Sequence, residues 1–223
     1  MWLKSRIPEL ESLGIRLETS EEISYNSDCE KDEKDLYPLL IEILREENAI
    51  YSKRIDEKIT EKGTKGLNKW INPDIVGVKY FFEEHSDDVN ELIENSSSPL
   101  YELYLYEVKK EIKLANIKEC YFQAISNSSW ANYGYLVCLE FNEENEELYN
   151  EVNRLVELFG IGLIKLNVDK NKQKSGYRII FPAKLNTDLD YSTIENLCRK
   201  NDDFRSYINK INKSVKIKDV QEF

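Results

Sequence analysis

The feature that most restricts the fold is the nine-residue run Tyr133–Phe141, whose sequence is YGYLVCLEF. It is apolar at nearly every position rather than at alternate positions, which is typical of a strand that is buried on both faces. Shorter apolar runs lie on either side of it, and segments with helical spacing lie between them. The sequence therefore predicts an α/β domain with a mixed central sheet that helices cover on both faces.

The predicted order of elements is helix, three strands, helix, strand, helix, one or two strands and helix. The first helix, Lys34–Glu47, carries leucine and isoleucine at helical spacing. Glu83–Pro99 is polar and is interpreted as an exposed hairpin loop. The predicted strands are Ala49–Ile55, Ile71–Phe82, Leu100–Val108, Tyr133–Phe141, Ile161–Asn167 and Tyr177–Phe181. Further helices are predicted to begin at a capping box at Asn116–Glu119, at Glu147 and at Ser192–Glu195.

Residues 1–32 are charged and weakly periodic, so we interpret them as an acidic N-terminal arm ahead of a single domain that spans residues 33–223. The whole chain has a net charge of −11. This charge is concentrated in residues 1–35 and 140–157, and the rest of the chain sums to zero. A solvated tail and a solvated helix face are the simplest explanation of the two acidic stretches.

Histidine and cysteine usage excludes several kinds of chemistry. The only histidine, His85, lies in a polar stretch, and the four cysteines form no CxxC pair. A zinc site, a disulfide framework and a histidine-dependent catalyst are therefore unsupported. With no long apolar run and no signal-peptide pattern, we expect a cytoplasmic protein that has no membrane partner. Any enzymatic chemistry must then rely on carboxylates, lysine and a hard metal ion.

Three charged residues lie at the ends of predicted strands. Asp74 follows Pro73 at the start of one strand, and Glu107 and Lys109 end another. Residues two apart on a strand share a face, so the glutamate and the lysine project together. If the two strands pair as an antiparallel hairpin, Asp74 comes close to Glu107. Taken singly, Asp74 could instead be an ordinary turn residue, and the other two a solvated ion pair.

Two neighbouring carboxylates repel each other unless one is protonated or a cation lies between them. Oxygen ligands with open positions suit Mg²⁺ or Mn²⁺ better than zinc. Such an ion can bind a phosphodiester oxygen and acidify a water molecule, and a nearby lysine can orient that water. The basic segment that spans residues 52–70 contains two candidates for phosphate contacts, Lys53 and Lys69, although a solvated charged loop explains them equally well.

This arrangement resembles the PD-(D/E)xK nuclease superfamily, which has the restriction-endonuclease-like fold. The likeness rests on Pro73-Asp74, on Glu107-Val108-Lys109 about thirty residues later, and on a preceding helix with the pattern Glu33-x-x-Leu36-x-x-Leu39-Leu40. Longer stretches, among them Asn68–Gly77 and Gln123–Asn132, are similar to uncharacterised HrgA-like bacterial proteins associated with restriction-modification loci. Some of those relatives carry an extra N-terminal helix-turn-helix-type domain.

The resemblance implies a magnesium- or manganese-dependent endonuclease that cleaves DNA in restriction or phage defence. Asp74, Glu107 and the backbone carbonyl of Val108 would hold the metal, and Lys109 would position the attacking water. Glu33, with Glu42 as the alternative, would complete the outer shell, and Gln123 would orient a phosphate or water. Cleavage by this fold often involves a homodimer, and a separate subunit could target the DNA. The alternative is a non-catalytic module of the same fold that binds a partner protein or nucleic acid.

Overall fold

The computed structural model describes residues 33–56, 73–96, 98–168, 175–221 and 223. The predicted N-terminal arm, residues 57–70 of the basic segment and the candidate residue Lys69 lie outside these ranges. Within them, six strands form one mixed sheet in the order β1-β2-β3-β4-β5-β6. The strands are β1 (Ile50–Arg54), β2 (Ile75–Tyr80), β3 (Tyr101–Ile112), β4 (Tyr133–Phe141), β5 (Gly162–Asn167) and β6 (Gly176–Phe181).

The pairing of neighbouring strands changes from antiparallel to parallel and back to antiparallel across the sheet. The first three strands are antiparallel neighbours, β4 runs parallel to both β3 and β5, and β6 is antiparallel to β5. The long central strands β3 and β4 are paired from Tyr104 with Tyr133 to Ile112 with Phe141. The prediction of a mixed sheet with Tyr133–Phe141 at its centre is confirmed.

The described residues also form six helices, which lie on both faces of the sheet. They are α1 (Glu33–Asn48), α2 (Asp87–Asn95), α3 (Ile117–Ser128), α4 (Glu146–Phe159), α5 (Tyr191–Lys200) and α6 (Asp202–Ile217). The apolar stripe of α1 packs against one face, where Ile75, Val108 and Val137 are fully buried. On the opposite face, α3 and α4 cover β4 and β5, and α5 and α6 cover β1 to β3. This is the predicted two-faced α/β architecture.

The polar stretch between β2 and β3 contains a helix, so its interpretation as a simple hairpin loop is wrong. Two acidic residues, Asp87 and Asp88, occupy the first turn of α2, where negative charge favours the helix dipole. The buried Asn90 side chain donates hydrogen bonds to the carbonyls of Phe82 at 3.1 Å and His85 at 3.2 Å. These bonds tie the helix to the end of β2.

The predicted capping box at Asn116 is not formed, although α3 begins where it was expected. The Asn116 side chain makes no capping bond to its helix. Its Oδ1 accepts from Lys113 N at 2.8 Å, and its Nδ2 donates to the Glu111 carbonyl at 2.9 Å. The side chain therefore closes the turn that leaves β3, in competition with the cap.

Three described residues with positive φ follow helix ends: Ala49, Gly160 and Lys218. Gly160 has φ 79° and its N–H donates to the Val156 carbonyl at the end of α4, as glycine commonly does. Ala49 has φ 53° between α1 and β1. A left-handed conformation costs an L-residue with a Cβ roughly 1–2 kcal/mol. The turn from α1 into the edge strand is thus strained.

The predicted C-terminal helical region consists of two helices that meet at Asn201. The Oδ1 of this buried residue accepts from Asp203 N at 2.9 Å and from Phe204 N at 3.0 Å, which caps α6. Its Nδ2 donates to the Asp56 carbonyl at 3.1 Å. Asp203 in turn accepts from Asp56 N at 3.1 Å and forms an ion pair with Lys53. The junction between α5 and α6 therefore holds the end of β1.

Candidate functional site

The antiparallel pairing of β2 and β3 brings Asp74 beside Glu107, as the sequence predicted. The last paired residues at this end are Ile75 of β2 and Tyr106 of β3. The next residues beyond this pair are Asp74, just before β2, and Glu107 of β3. The two carboxylates meet where β2 begins and its ladder to β3 ends. β3 continues beyond this point as a partner of β4 alone.

Asp74 is fixed by two hydrogen bonds from different elements. Its Oδ2 accepts from the backbone nitrogen of Val108 at 2.9 Å, and its Oδ1 accepts from the Tyr37 hydroxyl of α1 at 3.2 Å. Asp74 is only 8% exposed. Burial, followed by the charge of Asp74, raises the pKa of the Tyr37 phenol, so this hydroxyl stays protonated and acts as a donor. The Asp74 carboxylate therefore has a single, well-supported orientation.

The Val108 carbonyl, which was assigned to the metal by resemblance, faces the same region. The N–H and C=O of one strand residue point towards the same neighbouring strand. Since the Val108 N–H points to Asp74, its carbonyl also points to the side where β2 has ended. The Val108 side chain lies on the opposite side of this strand from Glu107 and is buried under α1.

Glu107 is a carboxylate with no solvent exposure. Burial, followed by the charge of Asp74, raises its pKa to about 7, against the opposing effects of Lys109 and Asn127. An ionised carboxylate in this position loses hydration and is repelled by a neighbouring acid. A cation beside it would relieve both costs.

Lys109 supplies part of that compensation. Its Nζ donates to Glu107 Oε1 at 2.7 Å, and the side chain is 16% exposed. Burial lowers the pKa of the ammonium, but the charge and hydrogen bond of Glu107, together with Asp74 and Glu33, outweigh burial and leave the pKa raised. Lys109 is therefore a protonated cation between a buried acid and solvent.

Of the two candidate glutamates on α1, Glu33 is the one that lies near Asp74, Glu107 and Lys109. Its Oε1 accepts from Lys110 N at 3.4 Å, and its charge acts on both Lys109 and Tyr37. Glu42 is exposed further along α1. Glu33 thus lies at the solvent side of the centre, where α1 begins.

The helix α3 contributes an amide, but from a different residue than expected. Gln123 is half-buried on α3, and none of the hydrogen bonds between described residues joins its side chain to the pair. Asn127, one helical turn later, donates from Nδ2 to Glu107 Oε2 at 3.0 Å and is 2% exposed. A signal for it was present, because Asn127 follows Cys120 and Ala124 on the buried stripe of α3, and a buried amide requires a partner.

Tyr37 was also missed. It stands one helical turn after Glu33, on the buried side of α1. Its ring belongs to the apolar core, and only its hydroxyl reaches Asp74. The helical spacing that predicted α1 rested on leucine and isoleucine alone, and it gave no sign of the polar contact of Tyr37.

The candidate phosphate contact Lys53 is engaged elsewhere. Lys53 is paired with Val76, on the face that α5 and α6 cover, and it forms an ion pair with Asp203 at the start of α6. Its position on the sheet directs the side chain away from α1 and from the Tyr37–Asp74 contact.

The donor set fits a hard divalent cation. Mg²⁺ is usually held by one or two carboxylates and otherwise by water or substrate, and the centre offers two carboxylates and a backbone carbonyl. Each carboxylate oxygen accepts one hydrogen bond from the chain, which leaves each of them a second lone pair. Among the described residues, no group of three or more His, Cys, Asp or Glu side chains is placed to hold a metal ion.

Comparison with known proteins adds no assignment. No protein-family model matches the chain, and neither a curated protein nor a solved structure matches it. In the part of the chain that the structure describes, no helix is both long and apolar enough to cross a membrane.

Proposed function

We propose that this protein is a divalent-metal-dependent endonuclease that hydrolyses DNA phosphodiesters, in a restriction or phage-defence context in the bacterial cytoplasm, and that its fold is restriction-endonuclease-like. One observation carries the proposal: the fully buried Glu107, with its pKa raised to about 7, lies beside Asp74 and is paired with Lys109. Burial of two acids and a lysine at a strand end is costly for stability alone. It is explained if the group binds a cation and a charged substrate.

Asp74, Glu107 and the Val108 carbonyl would hold Mg²⁺ or Mn²⁺. A bound ion would polarise the phosphodiester and stabilise the charge that develops in the transition state. Tyr37 and Asn127 orient the two carboxylates through the hydrogen bonds to Asp74 Oδ1 and Glu107 Oε2. These supports keep the oxygens in place before the ion arrives, which lowers the cost of reorganisation.

Lys109 has a distinct role because it is the protonated donor nearest to Glu107. Its ammonium orients the water that attacks the phosphorus and stabilises negative charge on the phosphoryl oxygens. Glu33 lies close enough to act on Lys109 electrostatically, and it completes the outer part of the centre. Gln123 remains a candidate for a phosphate or water contact from α3, and a homodimer or a separate targeting subunit remains a proposed partner.

Plasmid cleavage tests the proposal. The purified protein is incubated with supercoiled plasmid and Mg²⁺ or Mn²⁺, and nicked and linear products are measured on a gel. Lys109→Ala and addition of a chelator should each abolish cutting. Lys113→Ala is the matched control. It removes a lysine just after the same strand, where the side chain is 60% exposed and forms an ion pair with Glu111, and it should cut normally. Cutting that survives chelation or Lys109→Ala would contradict the assignment.

A second candidate is a non-catalytic module of the same fold that binds a protein or nucleic acid. The observation that favours it is that each of the four carboxylate oxygens of Asp74 and Glu107 already accepts a hydrogen bond from the protein. Titration calorimetry with Mn²⁺ separates the two. Binding that Glu107→Gln abolishes supports the enzyme, whereas no binding and no cutting under any condition supports the module.

A further inference from the structure

We infer that Arg54 is the residue that binds a substrate phosphate beside the candidate centre, so that β1 contributes an anion site through its arginine and not through Lys53. The inference rests on the proposed function for the identity of the substrate, a DNA strand. It depends on four observations about the last two residues of β1: their register, their partners, the exposure of Arg54, and the contacts that connect Arg54 to Asp74 through Tyr37.

The register of β1 directs Arg54 and Lys53 to opposite faces of the sheet. Lys53 is paired with Val76, and Arg54 is paired with Ile75. Val76 belongs to the core under α5 and α6, whereas Ile75 belongs to the core under α1. Neighbouring side chains on a strand alternate between faces. Arg54 therefore lies on the α1 face, the face from which Tyr37 reaches Asp74.

The contacts of the two cations differ accordingly. Lys53 is neutralised by Asp203. Arg54 is exposed, and among the described residues it forms no ion pair; its guanidinium carbon lies 4.8 Å from the centroid of the Tyr37 ring. Arginine stacks on aromatic faces while its N–H donors, which lie in the plane of the guanidinium, stay available. The stacked guanidinium has a defined position and, within the described part of the chain, no acidic side chain paired with it.

This position places Arg54 one tyrosine side chain away from the centre. The ring that it covers ends in the hydroxyl that donates to Asp74 Oδ1 at 3.2 Å. Asp74 is also linked to β1 directly, because its carbonyl accepts from Ile55 N at 3.2 Å. A DNA strand whose scissile phosphate lies at Asp74 and Glu107 would thus present a neighbouring phosphate to Arg54. Arginine binds such a phosphate with two parallel N–H donors.

The site has a simple specificity consequence. A guanidinium at a fixed distance from the centre recognises a backbone charge and no base, so it positions the strand without reading its sequence. It would act on duplexes of any sequence, and its loss would weaken binding uniformly. Such a contact also has a measurable signature, since each neutralised phosphate contributes about 0.9 to the slope of log K against log salt on duplex DNA.

The test measures that slope by fluorescence polarisation of a labelled DNA duplex between about 50 and 200 mM KCl. The parent protein is the full chain with Lys109→Ala and Mg²⁺ present, so that the DNA stays intact. Arg54→Gln should weaken binding on the order of tenfold and lower the magnitude of the slope by about 0.9. Arg54→Lys keeps the charge and should keep the slope, while it loses the two-pronged contact and part of the affinity.

Two matched variants control for general loss of charge. Lys53→Gln removes the preceding cation of the same strand, and Arg178→Gln removes an arginine from β6 at the other edge of the sheet, where it pairs with Glu143. Both should leave the slope unchanged. A slope that Arg54→Gln does not alter, or that Lys53→Gln lowers instead, would overturn the inference. Melting curves identify any variant that has lost its fold. If Arg54→Gln does not fold, Arg54→Lys decides through its affinity: weaker DNA binding supports the two-pronged contact, and unchanged binding overturns it.

Cleavage by the unmodified chain, measured separately, distinguishes this inference from the proposed function. If the protein cuts DNA but Arg54→Gln does not change the salt slope, the phosphate contact is refuted and the proposed nuclease function stands. A slope that depends on Arg54 without any cutting keeps the contact and refutes the nuclease. Absence of DNA binding at every salt concentration refutes the contact.

Discussion

Replacement of Glu107 by glutamine should stabilise the folded protein at neutral and alkaline pH when no divalent cation is present. Glutamine has the shape of a protonated glutamate, so the variant removes the ionised state and keeps the packing. The pKa of Glu107 rises from its ordinary 4.5 to about 7 on folding, first because of burial and then because of the charge of Asp74. Ionisation is therefore less favourable in the folded chain than in the unfolded chain.

The magnitude follows from linkage. The folded chain binds more protons than the unfolded chain between pH 4.5 and about 7, so the stability contributed by protonated Glu107 is fully present below about 4.5 and is lost as the pH rises through about 7. Each pH unit of difference is worth about 1.4 kcal/mol, which gives a full loss of about 3 kcal/mol. The Glu107→Gln variant cannot ionise at this position, so it should not lose this stability. For a chain of this size the variant should melt about 6–12 °C higher at pH 8.

Urea unfolding, followed by the fluorescence of the buried Trp130, measures the effect at pH 5, 6, 7 and 8. The gap between Glu107→Gln and the parent should widen from about 1 kcal/mol at pH 5 to about 3 kcal/mol at pH 8. Mn²⁺ should narrow it by stabilising the parent alone. Glu111→Gln, on the same strand but in a surface ion pair with Lys113, should change stability by less than about 0.5 kcal/mol. A Glu107→Gln variant that is less stable than the parent at pH 8 would refute the reasoning, because the pair with Lys109 would then be net stabilising.

Three further substitutions probe the supports of the site and the turn before it. Tyr37→Phe removes the donor to Asp74 but keeps the ring; it should cost about 1 kcal/mol in urea unfolding and weaken Mn²⁺ binding by calorimetry, and unchanged Mn²⁺ affinity would show that Asp74 needs no such support. Asn127→Ala leaves one oxygen of Glu107 without its donor, so we expect a loss of about 1–3 kcal/mol at pH 8, and a loss below about 0.5 kcal/mol would mean that the amide is dispensable. Ala49→Gly relieves a φ of 53° and should stabilise the protein by up to about 1 kcal/mol in the same unfolding experiment, whereas destabilisation would show that the turn is not strained.

The sequence was sufficient to place the acids because strand ends and strand alternation are local properties. Asp74 begins one apolar run and Glu107 ends another, so an antiparallel hairpin was enough to bring them together. The relation between Lys53 and Arg54 could not be settled in this way. Which of two adjacent residues faces α1 depends on the register of β1 against β2, and a shift of one residue exchanges the two faces.

The supports of the site were hidden for a different reason. Tyr37 and Asn127 lie on apolar stripes of their helices, where an aromatic ring or a small amide is explained by packing alone. Their polar contacts depend on how each helix crosses the sheet, which is a tertiary property. The helix α2 was missed although Val89, Leu92 and Ile93 stand at helical spacing, because the apolar set is short and lies in an otherwise acidic, serine-rich stretch. The helix is also held by the Asn90 hydrogen bonds, which the sequence does not show.

Hydrogen bonds and an ion pair join the end of β1 to the start of α6, and so connect the first described strand with the last described helix. Asn201 and Asp203 hold the backbone of Asp56 through its carbonyl and its N–H, and Asp203 also holds Lys53. The first strand of the sheet is therefore anchored by residues about 145 positions later in the chain, a contact that forms late during synthesis on the ribosome. The edge that carries Arg54 should consequently be the last part of the domain to become ordered, and it should open first when α6 is perturbed.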